Sequence, residues 1–353
     1  MSSYTTYESV WKLGSIDPEV DELAKGLDGP PVDLSDIQKL RAATVISERE
    51  LDEPNQDARV KETTIQIPMQ DGHTNEARVY TNVAQSSKPR ALVVLFHGGG
   101  WIGGTNRQMS FYSRPLAILH DAIIVNPSYR LAPEHKFPAA HHDAWDTVKW
   151  LAANAKQLGA DPTQGFIVGG SSAGASLTIV TASRAVREKL SPPITGLWVS
   201  IPPLFSENTV PEKHKDLWFS REQNAKAPFF GANELEFALA LYGPDFESRD
   251  FNPLTDKDSI PGHPSAFVQV AGLDPLRDDG LIYEKVLSEN GVPTRLDVYK
   301  GMPHGFFGSL MTHLKQGRKC HINTIAGFGW LLKKDVDLEK TKEDIKEFKF
   351  FQE

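Results

Sequence analysis

The alternation of polar and apolar positions along this 353-residue chain changes rhythm several times. Residues 1–57 are polar and charged, with short helical patterns. One covers residues 18–27, with Pro18 suited to a first helical turn. A second covers residues 33–48, where Leu34, Ile37, Leu40 and Val45 fall near helical spacing. Gly29-Pro30-Pro31 separates the two. The segment is too short for a domain, and reads as a disordered tail or as helices laid over something else. From Val60 the period shortens to two. Thr64-Ile65-Gln66-Ile67 and Ala77-Arg78-Val79-Tyr80 alternate on either side of Asp71-Gly72, which predicts an antiparallel hairpin. Residues 91–96 and 122–125 are unbroken apolar runs, the pattern of strands covered on both faces.

Strands then alternate with helices. Helical character runs over residues 109–120, an amphipathic helix over 139–158, a strand over Phe166-Ile167-Val168, a helix over 177–190 and a strand over 197–201. Such alternation requires crossover connections and a mostly parallel sheet, an α/β fold. Residues 203–262 break the rhythm. They are rich in Pro, Phe, Trp and charge, with one helical patch at 233–241, and read as an insertion between core strands. The rhythm returns with a strand at 266–270, a helix at 278–290, a strand at 296–299 and a last helix at 322–333.

Composition narrows the class. Apolar content of 40% and charged content of 24% are ordinary for a soluble globular protein. The net charge of -8 speaks against nucleic acid and anionic membranes as partners. The single cysteine, Cys320, excludes an intramolecular disulfide, fits a reducing compartment such as the cytoplasm, and reads as a small buried hydrophobe. Neither a secretory leader nor a membrane span is expected, because the longest apolar runs are only strand-length.

The chemistry centres on Gly170-Ser171-Ser172-Ala173-Gly174, a G-x-S-x-G between a strand and a helix. The bare pattern is weak and also fits a tightly packed turn. As a nucleophile elbow it would lift Ser172 to the top of the sheet. Both glycines would leave room that a Cβ would fill. Serine needs a base, and the base needs an acid to hold its tautomer. Two residues lie just past later strands, where sites of open α/β sheets gather: Asp274, in Gly272-Leu273-Asp274-Pro275, and His304, in Pro303-His304-Gly305-Phe306. Asp278 and Asp279 read better as first-turn residues of the next helix. His97-Gly98-Gly99-Gly100-Trp101 follows a buried strand, and its glycines would present backbone N–H groups to an oxyanion together with Ala173. His141, His142 and Asp143 read as a solvated helix face rather than a metal site.

These motifs, with Tyr129-Arg130-Leu131-Ala132-Pro133-Glu134-His135, Phe137-Pro138-Ala139-Ala140 and Asp274-Pro275-Leu276-Arg277-Asp278, resemble the hormone-sensitive lipase family of α/β-hydrolases over residues 60–335. The resemblance implies an esterase that needs no metal or organic cofactor. It implies helical caps from residues 1–57 and 203–262 over a core of residues 58–202 and 263–353. It assigns Ser172, Asp274 and His304 as the triad, and Gly99, Gly100 and Ala173 as oxyanion donors. Glu134 and Asp143 match positions that look structural. One departure is Ser171, where this family often carries an acid. The expected substrate is a small to medium, largely apolar small-molecule ester, and the pocket candidates are Trp101, Leu217-Trp218-Phe219 and Phe229-Phe230, with Tyr4, Tyr7 and Trp11 of the N-terminal arm beside them. An amidase or thioesterase would use the same residues, and a non-catalytic binding protein on this scaffold is the rival from another class. Edge-strand dimers occur in families that the chain resembles, which leaves a homodimer open.

Overall fold

A computed structural model describes residues 4–26, 36–84, 88–255, 260–308, 314–334, 337–346 and 348. The Gly29-Pro30-Pro31 break and the first turn expected around Leu34 lie outside these residues. The hairpin forms as β1 (Val60–Pro68) and β2 (Thr74–Asn82). It is followed by β3 (Leu92–Phe96), β4 (Ile123–Pro127), β5 (Phe166–Ser171), β6 (Gly196–Ser200), β7 (Ser265–Ala271) and β8 (Thr294–Tyr299). Together they make one eight-stranded sheet in the order β1-β2-β4-β3-β5-β6-β7-β8. β1 and β2 pair antiparallel, β2 joins β4 antiparallel, and every later pairing is parallel.

Strand alternation builds two apolar layers. Leu92, Val94 and Phe96 of β3 face one, and Val93 and Leu95 face the other. Helices therefore cover both sides of the sheet. Three come from the first residues: α1 (Tyr7–Trp11), α2 (Pro18–Gly26) and α3 (Ile37–Asp52). The core adds α4 (Ser110–Leu119), α5 (Ala139–Asn154) and α6 (Ala173–Arg187). The insertion contributes α7 (Ser220–Gln223) and α8 (Ala232–Tyr242). Then come α9 (Arg277–Glu289), α10 (Lys315–Leu331) and α11 (Leu338–Ile345). The last helix expected from residue 322 thus begins seven residues earlier, and the short α11, in which only Leu338 and Ile345 are apolar, follows it unannounced. Cys320 is buried on α10, and burial pushes its thiol up to about 12. Among the described residues no helix is long and apolar enough to cross a membrane.

The N-terminal segment is a set of anchored helices rather than a tail. Asp36 Oδ1 accepts the N–H groups of Gln38 and Lys39, both at 3.1 Å, which starts α3 at Ile37. At the other end Asp52, 1% exposed, accepts from Arg114 Nη2 at 2.6 Å and Arg107 Nη1 at 2.8 Å. Burial alone would raise the Asp52 carboxyl, but Arg114 and the surrounding donors hold it below its ordinary value. A depressed carboxylate pKa stabilises the fold above the ordinary aspartate range, and the contribution is lost as pH falls below that range. Asp52→Asn should therefore cost about 1–3 kcal/mol near neutral pH, because the buried Arg114 loses one of its two carboxylate partners and keeps only Glu62, at 2.7 Å. Thermal melts of the variant and the parent should converge as pH drops below about 4; an equal gap at every pH would show that the charge contributes nothing.

Candidate active site

The register of the sheet brings the candidate residues to one place. Phe96 at the end of β3 stands opposite Gly170 of β5, so the loop beginning at His97 and the turn holding Ser172 leave the sheet side by side. Ala271 of β7 pairs with Tyr299 of β8, so the loops carrying Asp274 and His304 start from the same level. Those two loops also bond to each other, Leu273 N–H to Met302 O at 2.9 Å.

Ser172 sits at φ 53°, ψ -120°, a conformation strained for any residue with a Cβ. Its N–H donates to Ser200 O at 2.8 Å, and α6 begins at the next residue. The turn is closed by contact. A Cβ on Gly174 would lie 2.2 Å from Phe96 O, and one on Gly170 would lie 2.4 Å from the Gly174 carbonyl. No side chain fits at either position.

From this turn a hydrogen-bonded chain runs across the sheet. Ser172 Oγ lies 2.8 Å from His304 Nε2, and His304 Nδ1 lies 2.7 Å from Asp274 Oδ2. Asp274 is fully buried. Its other oxygen accepts the N–H of Leu276 at 2.7 Å, and Asn224 donates to its carbonyl at 2.9 Å. With Nδ1–H given to a carboxylate, Nε2 is left as an acceptor for the serine hydroxyl. Such an arrangement can draw the proton from Oγ as the oxygen attacks a carbonyl carbon.

The glycine loop lies next to it. Gly98 N–H is taken by Gln108 Oε1 at 2.6 Å, and Gly99 and Gly100 come next with φ 110° and 60°. Among the described residues the N–H groups of Gly99, Gly100 and Ala173 donate to no other atom. His97 props the loop from beneath: it is buried, stacks on Tyr129 with centroids 4.2 Å apart, and burial lowers its pKa to about 4. It is therefore a neutral support, unable to act as a cation near neutral pH.

Several expectations change. Trp101 is 1% exposed and stacks on Tyr242 at 4.6 Å, sealed in the core rather than lining a pocket. Trp218 and Phe219 are partly exposed; Trp218 donates to Asp279 Oδ1 at 2.7 Å, and Phe219 packs against Tyr7 at 4.5 Å and the Arg277 guanidinium at 5.0 Å, so both also tie the insertion to its neighbours. Phe230 does reach the site, stacked on the His304 ring with centroids 4.3 Å apart. It belongs to the Phe229-Phe230 pair that stands among the pocket candidates of the sequence. The solvated face expected of His141, His142 and Asp143 does not form. His141 is buried between Tyr242 OH at 2.8 Å and Ser176 Oγ at 3.2 Å, and Asp143 is paired with Arg130 at 2.6 Å. Of the three only His142 faces solvent. The two buried side chains are tolerated because distant partners satisfy their polar atoms. Asp278 and Asp279 do lie in the first turn of α9, but their main partners are in the insertion: Asp278 accepts from the N–H groups of Phe219 and Ser220, and Asp279 from those of Leu204 and Phe205. Glu134 is held down to about 2, chiefly by its hydrogen bonds from Arg41 of α3.

The fold and the site together define an α/β-hydrolase. A family model described as alpha/beta hydrolase fold matches residues 93–308. An AB hydrolase superfamily protein of Schizosaccharomyces pombe is 36% identical, with 91% of this chain and 95% of that one covered. Carboxylesterase NlhH of Mycobacterium tuberculosis is 34% identical over 70% of this chain and 75% of its own. The crystal structure of vibralactone cyclase superposes with a TM-score of 0.83 at 29% identity, covering 91% of this chain and 96% of that one. The chain belongs to the α/β-hydrolase family, in the hormone-sensitive lipase-like group that its motifs resemble.

The two kinds of aspartate should separate experimentally. Asp274→Asn should lower kcat by about 10⁴, because an amide beside Nδ1 favours the wrong imidazole tautomer. Asp279→Asn should keep most of kcat and lower the melting temperature by several degrees, since an amide N–H₂ would face N–H donors from the cap. Steady-state kinetics and melts on both variants decide it; equal kcat losses would move the acid elsewhere.

Proposed function

We propose that the protein is a serine carboxylesterase in which Ser172 is the nucleophile, His304 the base and Asp274 the acid that orients it. Ester hydrolysis as a class agrees with its place among α/β-hydrolases and with carboxylesterase NlhH as a relative. The observation that carries the finer reading is the unbroken Oγ–Nε2–Nδ1–carboxylate chain, at 2.8 Å and 2.7 Å. Beside it stand three N–H groups that have no other acceptor among the described residues.

In the first half-reaction His304 Nε2 takes the Ser172 proton as Oγ bonds to the ester carbonyl carbon. The carbonyl oxygen gains negative charge, held by the N–H groups of Gly99, Gly100 and Ala173. As the tetrahedral species collapses, the C–O bond to the alcohol breaks and His304 returns the proton to the leaving oxygen. Water then repeats the sequence on the acyl-enzyme, releasing the acid and restoring Ser172. Every step uses side chains and backbone of this chain alone. The glycine loop and the triad are nearly indifferent to the substrate's side groups, so selectivity falls to the cap. Phe230 on His304 makes one wall of an apolar acyl or alcohol pocket, which suits a small to medium ester. The lone buried Cys320 suits a reducing location such as the cytoplasm.

Ser172→Ala should reduce turnover of p-nitrophenyl esters by about 10⁴–10⁶ while the melting temperature stays unchanged. Labelling with a fluorophosphonate should disappear in the same variant. A folded Ser172→Ala protein retaining more than a few per cent of activity would remove Ser172 from the role. Phe230→Ala should flatten the dependence of kcat/KM on acyl length across such a series, since each methylene it covers is worth about 0.8 kcal/mol. An unchanged profile would place the pocket wall elsewhere.

A further inference from the structure

The glycine loop is held from outside the core. α3 carries Arg41 and Glu48 seven residues apart, on one face of the helix. Both reach the stretch after β3. Arg41 Nε donates to Ile102 O at 2.7 Å, and its Nη2 donates to Ala132 O at 2.6 Å. Glu48, 8% exposed, accepts from Thr105 N–H at 3.2 Å, from Thr105 Oγ1 at 2.5 Å and from Gln108 Nε2 at 3.3 Å. Gln108 then turns its Oε1 to Gly98 N–H at 2.6 Å. The path from helix to loop is continuous: Glu48 carboxylate, Gln108 amide, Gly98 N–H.

The choice of side chains is chemical. Gly98 offers a donor and Glu48 an acceptor, so the residue between them must accept at one end and donate at the other. An amide side chain does both through two heavy atoms on a single carbon, and does so at any pH. Holding Gly98 also holds the two peptide units after it. The Gly98 N–H is already used, so it cannot serve a substrate, and the next two units carry the free N–H groups of Gly99 and Gly100. Gly98 itself abuts the elbow: a Cβ there would lie 3.1 Å from Ser171 O and 3.4 Å from Ser172 Cβ. Gln108 therefore fixes the distance between the elbow and the donor peptides.

We propose that Glu48 and Gln108 are positioning residues through which the N-terminal helix sets the oxyanion-binding geometry of Gly99 and Gly100. The inference rests on the triad and oxyanion assignments above. The N-terminal segment then acts on the rate of the chemical step and not only as a cover over the core. A displacement of a preorganised donor by about 1 Å is enough to cost up to 10²-fold. Donors to an oxyanion act mainly in the transition state, so kcat should fall while KM barely moves.

The test uses the full-length enzyme with a p-nitrophenyl ester and phenylboronic acid, whose adduct with a serine Oγ is tetrahedral and anionic like the intermediate. Gln108→Leu and Glu48→Ala should each lower kcat about 10–100-fold, change KM less than about threefold, and raise the boronate inhibition constant by a factor comparable to the kcat loss. Glu48→Gln is the rescue: its Oε1 still accepts from Gln108 and Thr105 N–H, and its amide N–H can donate to Thr105 Oγ1, so it should keep at least half of wild-type kcat. Melts on all three report packing separately. Folded Gln108→Leu and Glu48→Ala variants with wild-type kcat would overturn the proposal, and so would losses that appear in KM alone or that Glu48→Gln shares in full. If instead wild-type enzyme takes up no fluorophosphonate, or Ser172→Ala keeps its activity, the parent assignment has failed and not the relay.

Discussion

The structure turns on one tight contact, between the start of α6 and the end of β3. Gly174 passes so close to Phe96 O that nothing larger than hydrogen fits, and Gly170 leaves the same room under the turn. That contact holds Ser172 in its left-handed conformation, with its N–H tied to Ser200 O. Because β3 and β5 are neighbours in register, the same contact puts the His97 loop within van der Waals reach of the serine. The strain at Ser172 is sustained by the packing of three strands and a helix around it, as backbone outliers at reactive residues generally are.

Around this rigid centre the remaining parts are fastened by directional polar bonds as well as by apolar packing. The insertion is held to the core by Asp278 and Asp279, whose carboxylates collect backbone N–H groups from residues 204, 205, 219 and 220. Burial pushes Asp279 up from its ordinary value, so it is Arg221 and these donors that keep the carboxylate tolerable there. The N-terminal helices are fastened by Asp52, Glu48 and Arg41 in the same manner. Directional bonds of this kind fix position within tenths of an ångström where an apolar face would allow sliding. That is what a site built from four separate loops requires.

The sheet, the order of its elements and the residues of the hydrogen-bonded chain were legible because each has a local signal. Unbroken apolar runs marked β3 and β4, and the G-x-S-x-G lay between a strand and a helix. Asp274 and His304 each stood a few residues past a strand. What stayed hidden depends on distant partners. Gln108 meets Glu48 from 60 residues away, and nothing in either neighbourhood announces the bond. His141 and Asp143 look like solvent residues on an amphipathic pattern and are buried because Tyr242 and Arg130 satisfy them. Trp101 looked like a pocket aromatic and is buried in the core, as aromatics serve in packing far more often than as pocket walls. Phe230, a candidate of the same kind by sequence, stacks on His304.

The central claim is that Ser172 carries the acyl group during turnover. Mixing the enzyme with excess p-nitrophenyl acetate, quenching within the first turnover in acid, and mapping the digested chain by mass spectrometry reads this directly. One added acetyl group per chain is predicted, on the peptide containing Ser172 and on that residue, released with time as substrate is exhausted. Acetylation of a different residue that rises and falls with turnover, with Ser172 unmodified, would contradict it.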